Sequence, residues 1–442
     1  MLMADEQSIL DLFAQLLPPE RWAELEGKKR SDEIFDLQLT AAMMMLQRLE
    51  ARGTQQGVVQ KLVNGELDGI LADKGVRGLD LSSNTGGYAR ACGRLSKEKL
   101  EQMTDEVLAE LRKRMKAKGK RERLVLVIDG TSISLEHVAE LLEQFPPARN
   151  QYGDAHWGII RMVAFHDLYS GIALRPYWGP MYGPHTVSEQ ELADQALEHA
   201  PAECVILGDG NFGIFNYAYK VDQSGRKLLF RLTASRANTK LMHARALLPR
   251  GERKQVWYPS RKDFEGNPDL PKDAAVRGRV IAVQVKGFRD PLYLFPTLED
   301  DIATVVALYA KRWDMEVDLR ALKRTLDLHH LRGKSVAAME KELLIAVVAY
   351  GLVRAVMATA AARAGLPPRR MSFTAAYGLL DKAVSKLCSP NREVREQAFE
   401  VLLRHIVQSK LPNRSQPRNY PREVWGFRQS FPPRRPHEGQ RL

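Results

Sequence analysis

Residues 124–131 read Leu-Val-Leu-Val-Ile-Asp-Gly-Thr, and residues 204–213 read Cys-Val-Ile-Leu-Gly-Asp-Gly-Asn-Phe-Gly. Each begins with a short apolar run and then reaches an aspartate followed by glycine. Apolar runs without polar alternation mark strands buried on both faces of a sheet. A carboxylate directly after such a strand, Asp129 and again Asp209, stands where α/β sheets commonly place their sites. Taken singly, an Asp-Gly pair is more often a turn or a helix cap. Two such strand ends in one sheet shift the balance, because together they can bring two carboxylates onto one divalent cation.

Working outward from these runs, Ile159–Phe165 and Gly171–Tyr177 read as two further strands and Glu189–His199 as a helix. The resulting β-β-β-α-β order suits a mixed sheet covered by helices. Residues 236–290 are polar, with Pro, Gly and alternating apolar positions (Val276, Val280, Ala282, Val285), and read as a β-rich insertion. The flanks are helical. Asp36–Leu49 carries Leu37, Leu39, Met43, Met44, Leu46 and Leu49 at close to a 3.6-residue period, and a second helix is expected from about Ser96 to Met115. Helix returns from Asp300 to about Gln408. The longest apolar stretch, Leu343–Ala362, is interrupted by Arg354 and reads as a buried helix rather than a membrane span.

The chain has 442 residues, which at about 150 residues per domain suggests two to four domains. With 44% hydrophobic and 27% charged residues it is neither disordered nor collagen-like. Its formal charge of +12 favours a polyanionic partner, nucleic acid before an acidic membrane surface. Residues 112–123 hold eight basic residues and one acid. That run reads equally well as a solvated helix end or as a phosphate contact. The stretch from Lys410 to Leu442 carries eight basic residues against two acids, with six prolines, and cannot build a core alone. Cys92, Cys204 and Cys388 are too few and too scattered for a disulfide framework or zinc finger. The acidic N-terminus is unlike a signal peptide, so a reducing, cytoplasmic location is expected.

A third acid comes from residues 309–323, Tyr-Ala-Lys-Arg-Trp-Asp-Met-Glu-Val-Asp-Leu-Arg-Ala-Leu-Lys. On one continuous helix Tyr309, Arg312, Glu316 and Lys323 fall within an arc of about 60°. Charged helix faces are usually only solvated salt bridges. Here one stripe combines an aromatic, two cations and one acid. Asp314 and Asp318 fall on other faces, which leaves Glu316 as the candidate.

Asp129, Asp209 and the Y-x2-R-x3-E-x6-K pattern (Tyr309, Arg312, Glu316, Lys323) resemble the DDE transposases of bacterial insertion sequences. More narrowly, they resemble the branch with the Y-R-E-K signature, whose members excise DNA through hairpin ends. The resemblance covers roughly residues 85–335 and includes the Ile-Asp-Gly-Thr, Gly-Asp-Gly-Asn-Phe-Gly and Tyr-x-x-Arg-Trp-x-x-Glu contexts. The long gap between Asp209 and Glu316 fits the β-insertion of that branch.

The resemblance implies an RNase H-like α/β fold: a mixed sheet with helices on both faces, interrupted by a β-rich insertion and flanked by helical regions. The expected division is an N-terminal helical DNA-binding domain (1–118), a first part of the catalytic core (119–235) and the insertion (236–297). The last helix of the core (298–335) and a C-terminal helical region with a basic tail (336–442) follow. It further implies that Asp129, Asp209 and Glu316 hold two Mg²⁺ ions, with Mn²⁺ as substitute, and that Tyr309, Arg312 and Lys323 contact DNA. Oxygen ligands suit these ions, and no zinc-spaced Cys/His cluster competes. An aromatic that stacks on a flipped base is expected at Tyr293, with Trp257 as the alternative. The implied partners are the transposon ends and target DNA, held by a homodimer on DNA, without a membrane. His329 and His330 read as structural. The competing readings are a catalytically silent or domesticated DNA-binding relative and a nuclease of the same fold.

Overall fold

A computed structural model describes residues 13, 15–27, 34–50, 53–71, 74–115, 123–151, 153–285, 290–322, 328 and 331–412. The side chains of Asn150, Trp313, Asp314 and Glu316 lie outside that description, as do most of the basic run at 116–122, Lys323, His329, His330 and the tail from 413. The strands are β1 (Leu124–Ser134), β2 (Pro147–Asn150), β3 (Gly153–Asp167), β4 (Tyr177–Pro180), β5 (Cys204–Gly208), β6 (Lys227–Arg231), β7 (Arg250–Trp257), β8 (Val276–Val283) and β9 (Leu292–Pro296). The helices that matter for the site are α1 (Leu37–Leu49), α2 (Lys97–Met115), α3 (Glu189–Glu198), α4 (Phe215–Gln223), α5 (Ile302–Ala310), α6 (Trp313–Arg320) and α7 (Val336–Arg363).

The strands form one nine-stranded mixed sheet in the order β2-β3-β1-β5-β6-β9-β8-β7, with β4 paired to β3. The β1–β5 and β5–β6 pairs are parallel and the other pairs antiparallel. This is the mixed α/β architecture expected for an RNase H-like domain. The β-rich insertion adds β7 and β8 to the edge of the same sheet through β9. Gly171–Tyr177 is not a strand, contrary to expectation. Gly171 takes a φ of +75°, Ala173 makes only an isolated bridge to His166, and the strand starts at Tyr177, just after Pro176. Proline cannot donate to a ladder, so pairing begins beyond it.

Alternation along the strands sorts the core into two layers. Leu126, Ile128, Ile206, Leu228 and Phe230 face one side, where they pack with Leu192 and Ala196 of α3 and Phe215 and Ala218 of α4. Val125, Val127, Val205, Leu207 and Leu229 face the other, against Val305 and Leu308 of α5 and Met315 and Leu319 of α6. α3 starts on a capping box, in which Ser188 and Glu191 satisfy each other's backbone N–H groups. Helices from both ends of the chain, α1, α2 and α7 among them, share a third core, which also takes in Ile133, Ile160 and Met162 of the sheet.

α7 is long and apolar enough to cross a membrane by composition, yet its apolar window is entirely buried inside the protein. Arg354, in its middle, is explained by a buried acid. Asp318 of α6 has no exposed surface, and both of its oxygens accept from Arg369 Nη1 at 2.7 Å. Arg354 Nη2 donates to the same carboxylate, while its Nε donates to the Tyr350 hydroxyl at 2.9 Å. A buried charge is costly unless paired, and removing one partner strands the others. Asp318→Ala is therefore expected to destabilise the protein by about 3–5 kcal/mol. Denaturant unfolding checks this; a loss below about 1 kcal/mol would contradict the clamp.

Candidate active site

β1 and β5 run parallel in the register Leu124↔Cys204 to Val127↔Leu207. Two residues past the last pair, both strands reach an aspartate. Parallel neighbours lie about 4.8 Å apart, so the register itself sets Asp129 beside Asp209. By alternation both follow Val127 and Leu207 towards the layer of α5 and α6. Asp129 does not end its strand, as the sequence suggests. β1 continues to Ser134 because β3 stays paired with it, Asp129 lying opposite Ala164. What ends at this point is the ladder to β5, and the freed edge is the candidate site.

The loop after β5 is held closely. The Asp209 Oδ1 atom accepts from the Asn211 amide at 2.8 Å, and the Asp209 carbonyl accepts from the Gly213 amide at 2.9 Å. A Cβ on Gly213 would sit 2.0 Å from the Arg231 carbonyl oxygen, so only glycine lets the loop lie against β6. Asp129 Oδ1 accepts from the Gly130 amide at 2.9 Å. Its carboxyl is pushed up to about 6, chiefly by burial, and further by the charges of Asp209 and Glu189, against the Gly130 amide and Arg312.

The expected single helix through residues 309–323 is broken. α5 ends at Ala310 and α6 starts at Trp313. The amides of Lys311, Arg312 and Met315 bond three residues back, to Leu308, Tyr309 and Arg312, which tightens the chain and cancels the regular helical arc. Arg312, at this break, is buried, and its Nη1 lies 3.8 Å from Asp129 Oδ2. Its guanidinium is 6.0 Å from the centre of the Tyr309 ring. Burial pushes the Tyr309 hydroxyl up to about 12, with Arg312 and Arg231 opposing. Glu316 belongs to α6, between Met315 and Leu319, which pack on the aspartate side of the sheet. The structure thus brings Asp129, Asp209, Arg312 and Tyr309 to one region.

Tyr293 and Trp257 lie elsewhere. Both are buried in the layer of α3 and α4. Trp257 packs edge-on to Phe295 and Phe215, with ring centres 5.0 and 5.9 Å away. Neither ring is presented at the surface.

One acid was missed by sequence reasoning. Glu189, in the first turn of α3, lies against the backbone of Gly130: a Cβ there would come within 1.8 Å of Glu189 Oε1. Burial pushes Glu189 up, and Asp209 adds to that, while Arg161 and a hydrogen bond with Asn211 act against it. In the sequence it is an ordinary acid at a helix start, so nothing local marks it. Among the described residues no three acidic, His or Cys side chains close into a finished metal cage. Asp129 and Asp209 carry the type of oxygen donor that hard divalent cations take.

The family model described as "Transposase DDE domain" matches residues 120–352. A curated relative, the transposase InsG for insertion sequence element IS4 from Escherichia coli (strain K12), is 26% identical over 312 residues, covering 68% of this chain and 67% of the relative. The family match takes in every strand of the sheet and the helices that close over Asp129 and Asp209, more than half of the chain. This chain therefore belongs to the DDE transposase family, enzymes that bind, cut and transfer DNA.

Proposed function

We propose that this transposase binds the ends of its own insertion sequence, cleaves them by two-metal phosphoryl transfer and joins the 3′ ends to target DNA. The observation that carries the reading is the parallel β1–β5 register, which aligns Asp129 with Asp209 beside the Arg312 guanidinium. Glu316, on the next helix over that edge, completes the acid set. These three acids would hold Mg²⁺, with Mn²⁺ as substitute. When bound, a pair of ions supplies activation of the attacking oxygen and charge stabilisation of the leaving one.

The chain's own residues do the rest. Asp129, with its proton affinity raised, is poised to exchange a proton for a cation. Arg312 supplies a guanidinium at the edge where a phosphate oxygen develops charge, a bidentate task that lysine performs less well. Tyr309 flanks that guanidinium, and the Y-R-E-K spacing through Lys323 supports the hairpin-forming branch. The N-terminal helical region is the candidate for reading the ends, and the basic run at 112–123 and the basic tail for holding phosphates. A DNA substrate of this kind is met in the bacterial cytoplasm.

Asp129→Ala, Asp209→Ala and Glu316→Ala are each expected to abolish end cleavage while changing end binding by no more than a few-fold. Gel assays of cleavage and binding in Mg²⁺ check this, and near wild-type cleavage by any one variant defeats the assignment. Affinity for the ends should fall about 10³–10⁵-fold between 50 and 200 mM salt, as for about 6–10 phosphate contacts. A flat salt response in a fluorescence titration contradicts that picture. Because one acid set per chain serves one DNA end, paired joining is expected to require a dimer assembled on DNA. Light scattering with end DNA checks the stoichiometry, and paired-end joining by a complex of one chain with one end refutes it.

A further inference from the structure

We infer that Arg236 is a positioning residue of the active site: its guanidinium holds in shape the loop that sets Asp209 at the opened sheet edge. The inference rests on the reading of Asp209 as a catalytic acid and goes beyond it.

The first support is the weakness of the loop itself. Asp209 sits in Gly208-Asp-Gly-Asn-Phe-Gly213, where three of six residues are glycine. Glycine loses more conformational freedom on ordering than any other residue, so such a loop needs outside partners to keep one shape. The second is where its carbonyl groups go. The Asp209 carbonyl accepts from the Gly213 amide, and that of Phe212 from the Ile214 amide at 2.8 Å. The Asn211 carbonyl accepts from the Gln190 side chain at 3.2 Å. The remaining two, of Gly210 and Gly213, both accept from Arg236 Nη1, at 2.7 and 3.2 Å. Gly210 directly follows Asp209, and Gly213 bonds back to the Asp209 carbonyl, so one nitrogen grips both ends of the turn. The third is the use made of the charge. Arg236 makes no ion pair among the described residues, and its guanidinium is turned onto these backbone oxygens instead. Hydrogen bonds from a charged donor are stronger than neutral ones. The fourth is that Arg236 is itself fixed. It belongs to a short helix, Ala234–Ala237, capped by the Thr233 side chain, and a Cβ on Gly210 would lie 3.2 Å from Thr233 Cγ2. The loop is thus held from α3 by Gln190 and from the segment leaving β6 by Arg236, where the β-rich insertion begins. A reacting group displaced by about 1 Å can cost about 10²-fold in rate.

The test uses the full chain. Arg236→Met keeps the apolar stem and removes the donors. Without DNA or metal, hydrogen exchange of the Asn211 and Gly213 amides, both bonded to Asp209, should speed up at least about 10-fold, while that of residues 205–207 in β5 stays unchanged. With protein in excess over end DNA and saturating Mg²⁺, the single-turnover cleavage rate should fall at least about 10-fold, with unchanged affinity for the ends. Arg236→Lys, which still offers several donors on one nitrogen, should recover part of both effects. Arg236→Gln is too short to reach both carbonyls and gives the same readings should Arg236→Met fail to fold. Wild-type exchange and cleavage in a folded Met or Gln variant overturn the inference. So does weakened end binding with a wild-type cleavage rate, which would make Arg236 a phosphate contact. Asp209→Asn run alongside separates the two readings. Cleavage abolished there, with wild-type Arg236 variants, removes the role of Arg236 alone, whereas wild-type cleavage by Asp209→Asn removes the catalytic reading of the loop.

Discussion

The parallel pairing of β1 with β5 is the constraint on which the rest of the site depends. A parallel ladder cannot be made by a tight turn, so the chain must travel through β3, β4 and α3 before β5 can lie beside β1. Once it does, the register leaves no freedom in where the two aspartates stand, because a slip of one residue would turn one of them to the opposite face. The ladder stops after Val127 and Leu207, and the backbone that opens there is lined by carboxylates rather than by apolar residues. The placement of the two aspartates is thus a by-product of sheet assembly, with the apolar alternation of both strands as the fixing agent.

The second dependence is between the sheet and the surrounding helices. α6, which bears Glu316, is a short helix after a tight break and would be weakly anchored by Met315 and Leu319 alone. Asp318 ties it to Arg354 of α7 and to Arg369, and Arg369 also donates to the Leu168 carbonyl at 2.8 Å, at the end of β3. One buried carboxylate therefore connects the acid-bearing helix, the core helix of the C-terminal region and the sheet. Its desolvation cost is offset because every partner is itself held by further hydrogen bonds.

Charge is divided by function. The protein as a whole is basic, with a formal charge of +12, which draws it to DNA at a distance. At the strand ends the sign inverts locally: the charges of Asp209 and Glu189 add to the burial that raises the proton affinity of Asp129, and the charge of Asp209 adds to the burial that raises that of Glu189. A polyanion approaching such an edge would be repelled without a cation between the two. That explains how a DNA-cutting site of this family can combine a basic exterior with an acidic centre.

The sequence by itself determined the strands that carry Asp129 and Asp209, because uninterrupted apolar runs can only be buried on both faces. It also determined the mixed sheet with a β-rich addition and the buried nature of the long apolar helix, each legible from local pattern and length. The Y-R-E-K spacing was legible as a motif, while the helical geometry assumed for it was not, since the break at Lys311–Arg312 arises from three-residue hydrogen bonds that no periodicity records. Only the tertiary structure decided that β1 runs on past Asp129, that Arg354 answers Asp318, that Trp257 and Tyr293 are core, and that Glu189 leans over Gly130. The reason is physical. Local sequence encodes which faces must avoid water, but which charges meet is set by chain segments far apart in sequence, and those meetings exist only after the sheet and its helices have packed.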